Sequence, residues 1–150
     1  MEHIKTIIVP LAFADYSSAI LEYTAQLIKK TDNSNITVLN VINSNNIESI
    51  ERIIAMGYKI DTDHYVDDIK KDRTEQFEQM VKKSGINKNR IKLVFKIGNP
   101  VDEVLKFIKE QMPDLVVMGT KGRTGLRYTF TGSVAEKVFK RSPVNVLSFR

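Results

Sequence analysis

Four glycines and a hydroxyl stand close together in the stretch GTKGRTGLRYTFTGS: Gly119, Gly122, Gly125 and Gly132, followed by Ser133. They are four of only seven glycines in the 150-residue chain, so the loop is singled out from the rest of the sequence. Glycine serves where the backbone must take a positive φ or where another group must approach it closely. Lys121, Arg123 and Arg127 place positive charge among these glycines. Accessible amides, a hydroxyl and cations in one loop are the donors that an anion needs. A surface turn is the alternative for any glycine-rich stretch, and the neighbouring elements decide between the two.

Other residue types with chemical potential are sparse. The chain has no cysteine, which excludes disulfides, thiolate catalysis and thiolate metal sites and suits a reducing compartment. The two histidines, His3 and His64, are far apart and read as surface or strand-edge residues. Asp61, Asp63, Asp67, Asp68 and Asp72 cluster in sequence, but their spacing fits no calcium loop and reads as a solvated face. No catalytic constellation emerges, so any hydrolysis of a bound ligand is expected to be slow or absent. The net charge is +5 and the pI is about 9.4. The densest basic run, Lys82, Lys83, Lys88, Arg90, Lys92 and Lys96, lacks interleaved aromatics, so nucleic acid is not the expected partner. With no apolar run long enough for a membrane span and no signal-peptide core, a soluble cytoplasmic protein is expected.

The elements that must position the loop alternate between two periodicities. Residues 4–11 form an Ile/Val-rich strand, and a helix over 15–30 follows, with Tyr16, Ile20, Tyr23 and Leu27 at helical spacing and either Asp15 or Ser17 as its cap. A second strand covers 36–42. Helices over 47–56 and about 63–83 end near Gly57 and Gly85, and a third strand covers 91–97. Asn99 is placed to cap the next helix, with Pro100 at its first position and Asp102 and Glu103 in its first turn, where the helix dipole favours anions. That helix ends at Pro113. Residues 114–118, DLVVM, show no alternation, as a strand buried on both faces should. After the glycine loop, Val134, Ala135, Val138 and Phe139 mark one face of a helix that stops before Pro143, and 144–149 is the last strand.

This βαβααβαβαβ order in a chain of single-domain length predicts one domain over 1–150: a mostly parallel sheet with helices on both faces. Ligands of such sheets bind beyond the carboxyl ends of the strands, where the strand order reverses. The glycine loop leaves one of those ends at Met118 and delivers the chain into a helix N-terminus near Ser133, whose free amides favour an anion. That context favours a ligand loop over a plain turn. It is neither a P-loop nor a dinucleotide fingerprint, because G-x-x-x-x-G-K-[ST] does not align on it and no G-x-G-x-x-G follows the first strand.

The spacing Gly119, two residues, Gly122, nine residues, Gly132, Ser133 resembles the G-x2-G-x9-G-[ST] signature of the ATP-binding branch of the universal stress protein family, the UspA-like proteins. The resemblance runs through the whole chain, from IIVPLAFADYSSAILEYTAQL through GNPVDEVLKFI and PDLVVMGTKGRTGL to GSVAEKVFKRSPVNVL. It implies a doubly wound five-stranded parallel sheet in the order 3-2-1-4-5, of the adenine nucleotide alpha hydrolase-like type, with ATP across the ends of the first and fourth strands. It further implies that Gly119, Gly122, Arg123, Gly132, Ser133 and Val134 cradle ribose and phosphates, with Ser133 on a phosphate or on Mg2+. Pro10, Leu11 and Ala12, Val41 after the second strand, and Met118 would border the nucleoside. A homodimer through residues 144–149 is implied as well, because family members commonly pair this apolar edge antiparallel. One departure stands out: where ATP-binding members carry aspartate in a V-P-x-D pattern, this chain has Ala12. The phosphate half of the site is therefore intact and the nucleoside half lacks its carboxylate. Two roles follow as expectations, an ATP-dependent regulator of a stress response or a nucleotide-free module that signals through protein contacts. An adenylating enzyme of related fold is disfavoured, because the S-G-G-x-D loop is missing.

Overall fold

The computed structural model of the chain describes residues 3–31, 33–120 and 134–150. Its five strands form one parallel sheet in the order β3-β2-β1-β4-β5, as the resemblance implies. They are β1 (Thr6–Pro10), β2 (Asn35–Asn43), β3 (Ile91–Gly98), β4 (Leu115–Gly119) and β5 (Val146–Phe149). The helices are α1 (Ser17–Ile28), α2 (Ser44–Ala55), α3 (Thr62–Ser84), α4 (Pro100–Gln111) and α5 (Val134–Arg141).

Two apolar cores flank the sheet, and strand alternation sorts the side chains between them. Ile7, Val9, Ile36, Val38, Leu115 and Val117 face α1 and α3, where Ile20, Leu21 and Val81 complete the first core. Ile8, Leu39, Val116 and Met118 face α4 and α5, packing against Val104, Leu105, Phe107, Ile108 and Val138. β1 is buried on both sides, which is why its sequence is continuously apolar rather than alternating.

Most predicted termini fall within one to three residues of the observed ones, and local chemistry accounts for the differences. Asn43 accepts a hydrogen bond from the Asn45 amide at 3.0 Å, starting α2 three residues early and extending β2 to meet it. Asp61 caps α3, accepting from the Asp63 amide at 3.0 Å and the His64 amide at 3.3 Å, and Gly85 closes the helix with φ of 75°. Asn99 caps α4 as expected, its side chain accepting from Asp102 N at 3.1 Å. At α1 the expectation fails. The capping position is Tyr16 and makes no side-chain cap, while Ser17 lies one residue inside and its Oγ accepts from Ala14 N at 2.9 Å, tying the helix back to the preceding loop. The last strand begins at Val146 rather than Val144, because Val144 is held in a turn by the Ser142 hydroxyl, which donates to its carbonyl and accepts from its amide. Phe139 does not share the buried face of α5. It is 60% exposed, since it sits about 100° around the helix from the fully buried Val138.

Away from the glycine loop, Asp114 fastens β1 to β4. Its Oδ2 accepts from the amides of Lys5 at 2.8 Å and Thr6 at 2.9 Å, and these bonds hold its carboxyl below the usual carboxylate range.

Candidate functional site

β1 lies at the reversal of strand order, with β2 on one side and β4 on the other. The chain leaves β1 through α1 on one face, whereas β4 is reached through α4 on the opposite face. The β1–β4 register pairs Ile7 with Leu115 and Ile8 with Val116, yet β1 runs on to Pro10 and β4 to Gly119. The paired register therefore ends at Ile8 and Val116, short of the carboxyl ends of both strands, and a crevice at the reversal of strand order would lie beyond it. Such an opening is where doubly wound sheets take their ligands.

One wall of this crevice is the segment after β1. Pro10 is half-buried and Ala12 stands beside it at intermediate exposure. Leu11 points into the first core at 5% exposure, so it can offer a ligand only backbone. Its amide already donates to Leu39 O at 2.9 Å, and its carbonyl accepts from Asn40 Nδ2 at 2.7 Å. Phe13 follows with φ of 56°, a left-handed conformation unusual for a bulky residue, and its ring is buried. Backbone in that region persists where the surrounding structure holds it.

The other wall is the end of β4. Met118 is buried in the second core, which leaves its backbone available and its side chain committed to packing. Gly119 is hemmed in by α1: a Cβ there would lie 2.5 Å from Ile20 Cδ1 and 3.5 Å from Tyr16 Cε2. The absence of a side chain at Gly119 thus serves helix packing directly. Thr120 continues the pairing with β5, its amide donating to Phe149 O at 2.9 Å. Val41 lies within β2, two residues before its end at Asn43, rather than after the strand. It pairs with Lys96 of β3 and packs partly buried against the second core. Val134, the first residue of α5, is half-buried against the same core.

The structure thus places Pro10, Leu11 and Ala12 at the end of β1, Met118 and Gly119 at the end of β4, and Val41 on the neighbouring strand β2. Gly122, Arg123, Gly132 and Ser133 lie outside the described residues, as do Lys121, Gly125 and Arg127. Sequence reasoning missed Asn40. It is 1% exposed, and its one signal is a carboxamide in the otherwise apolar centre of NITVLNVIN.

The acidic group near α3 is a helix face, with Asp61, Asp63, Asp67, Asp68 and Asp72 all exposed. His64 pairs with the Asp61 carboxylate, and the hydrogen bond between them raises the imidazole above its ordinary range and lowers the carboxyl. Among the described residues no cluster of His, Cys, Asp and Glu could hold a metal ion, and no helix is long and apolar enough to cross a membrane.

Residues 3–150 match the universal stress protein family. Universal stress protein MJ0577 of Methanocaldococcus jannaschii is 24% identical over 153 residues, spanning 95% of this chain and 93% of its own length. Universal stress protein MJ0531 of the same organism is 46% identical over a shorter stretch of 50 residues, 33% of this chain and 29% of that protein. The solved structure of MJ0577 superposes with a TM-score of 0.76 at 24% identity, covering 97% of this chain and 94% of its own. A universal stress protein in complex with cAMP superposes at 0.64, with 20% identity and coverage of 97% and 96%. The Archaeoglobus fulgidus universal stress protein in complex with dAMP superposes at 0.58, with 16% identity over the full length of both chains.

Proposed function

The chain belongs to the universal stress protein family, and from that premise we propose that it is a cytoplasmic, single-domain regulator of a stress response that binds ATP at the carboxyl ends of β1 and β4. The observation that carries this reading is that the G-x2-G-x9-G-S spacing begins at Gly119, the carboxyl end of β4, beyond the last β1–β4 pair of Ile8 and Val116. Relatives of the same fold have been crystallised with cAMP and with dAMP, which supports an adenine nucleotide as the ligand class.

In this reading the backbone at Gly119, Gly122, Gly132 and Val134, with Arg123 and the Ser133 hydroxyl, receives ribose and phosphates. Ser133 is also the residue proposed to hold Mg2+ accompanying the triphosphate. Pro10, Leu11, Ala12, Val41 and Met118 border the nucleoside, Leu11 and Met118 through backbone alone because their side chains are buried. In this reading the protein works by being occupied or empty, with ATP turnover slow at most.

Ala12 provides the test, because it stands where ATP-binding members carry aspartate. Wild-type protein is expected to bind ATP in titration calorimetry. Ala12→Asp is expected to tighten binding by roughly 5- to 30-fold, the equivalent of about 1 to 2 kcal/mol for one added hydrogen bond. The gain should appear for adenosine-containing ligands and be absent for inorganic triphosphate. Wild type without affinity for any nucleotide, together with an Ala12→Asp variant that melts lower and still does not bind, would mean that apolar groups have closed the pocket over an unpaired carboxylate. That result would favour the second reading, a nucleotide-free module acting through protein contacts, which the missing aspartate motivates.

A homodimer through residues 144–149 belongs to the same proposal. β5 is the outer strand next to β4, and Val146 packs on the second core while Leu147 and Phe149 pack on the first. Both faces of β5 are thus used within the chain, and among the described residues no strand pairs with its outer edge, the edge proposed to meet a second copy across a two-fold axis. Light scattering at micromolar concentration is expected to give about twice the chain mass, and Val146→Lys to lower it. A monomer at every concentration would rule the pairing out.

A further inference from the structure

We propose that Asn40 and Arg73 are positioning residues for the nucleoside half of the site, a role that rests on the nucleotide reading above. Asn40 occupies the centre of β2 and is 1% exposed, a place where a leucine would fill the space without a polar group to satisfy. Its carboxamide is used at both ends. Nδ2 donates to the Leu11 carbonyl at 2.7 Å, and Oδ1 accepts from Arg73 Nη1 of α3 at 2.6 Å.

The Leu11 carbonyl belongs to the peptide that leads into Ala12, so Asn40 holds the backbone immediately before the residue that faces the nucleoside. That grip is needed because β4 does not supply it. The β1–β4 register ends at Ile8 and Val116, whereas the β1–β2 register runs on to Pro10 and Leu39, so among the described residues the end of β1 pairs with β2 alone. There it is tied twice, by the Leu11 amide on Leu39 O at 2.9 Å and by Asn40 on the Leu11 carbonyl. On the far side of Ala12, the buried Phe13 takes φ of 56°, and the Ser17 hydroxyl accepts from Ala14 N at 2.9 Å. Ala12 is thus presented between two anchors.

Arg73 strengthens the first of them. A charged donor on the amide oxygen gives a charge-assisted hydrogen bond, and it polarises the carboxamide so that the Nδ2 hydrogens become better donors toward Leu11. It also selects the rotamer, since the oxygen must face the guanidinium and the nitrogen must then face the strand end. The position of the nucleoside wall is in this way set from α3, across β2.

Asn40→Asp separates the two bonds. It keeps an acceptor for Arg73 and replaces the donor to Leu11 with an oxygen that repels the carbonyl. In a folded protein this variant is expected to bind ATP about tenfold more weakly, the affinity equivalent of one lost hydrogen bond. Its affinity for inorganic triphosphate should be unchanged, because the glycine loop is untouched. Faster hydrogen exchange at the amides of Ala12 and Phe13 should accompany the loss. Arg73→Met is expected to show the same split between ATP and triphosphate with a smaller loss, and it carries the test should Asn40→Asp fail to fold. Arg73→Lys, which retains a cationic donor, is expected to recover part of the affinity. Wild-type ATP affinity in Asn40→Asp, or an equal loss for ATP and triphosphate in either variant, would overturn the positioning role while leaving nucleotide binding in place. If the unmutated protein binds no ATP, the underlying reading fails and the positioning role fails with it, and that outcome is visible before any variant is made.

Discussion

Gly119→Val is expected to lower the melting temperature by about 3 to 10 °C, the consequence of roughly 1 to 3 kcal/mol of overpacking in a domain of this size. The space a side chain would need is already taken. A Cβ at Gly119 falls 2.5 Å from Ile20 Cδ1, closer than real Cβ atoms approach, and Tyr16 Cε2 stands at 3.5 Å. The Ile20 methyl is the far end of a side chain and in open surroundings would swing away. It is 2% exposed, however, beside the fully buried Leu21, so a rotation drives it into its neighbours. The relief available is for α1 to lift from the end of β4, which would move Tyr16 and the Ala14–Ser17 turn together with it. Gly119→Ala adds the same first atom without the branch and should show a smaller shift in the same direction. Differential scanning calorimetry on both variants is the measurement. A Gly119→Val protein that melts like the wild type would mean that α1 does not press on the strand end.

Gly132→Val is expected to do the opposite, abolishing ATP binding while leaving the melting temperature near that of the wild type. Gly132 lies outside the described residues, and its place in the sequence carries the expectation. It closes the G-x2-G-x9-G-S spacing immediately before Ser133 and the start of α5, where amides must approach phosphate oxygens closely. A β-branched side chain fills that approach and opposes any positive φ there. The same substitution at two glycines of one motif is thus expected to differ in its effect on the fold, lowering the melting temperature at Gly119 and leaving it near wild type at Gly132. Titration calorimetry with ATP, run beside thermal melts, distinguishes them. Unchanged ATP affinity in folded Gly132→Val would place the ligand in another loop.

The amino-acid sequence by itself determined the order of elements, because each is written in a local code. The continuous apolar runs of β1 and β4 announce strands buried on two faces, and Asn99-Pro100 followed by Asp102 and Glu103 states where α4 begins, with no reference to the rest of the chain. The spacing from Gly119 to Ser133 was legible for the same reason, being a pattern of residue types along one segment. Contacts between segments were not. Ser17 reads as a cap from its neighbours, yet it turns back to Ala14, and Phe139 fits an apolar stripe yet is 60% exposed. Val41, expected after the second strand, lies inside β2. The end of the β1–β4 register, the packing of Ile20 against Gly119 and the bonds from Arg73 to Asn40 to Leu11 join residues from 8 to 116, from 20 to 119 and from 11 to 73. Those distances in sequence carry no periodicity or propensity, so only the tertiary structure could decide them: hydrogen bonds and steric exclusion act between atoms brought together by the sheet, after the local codes have been obeyed.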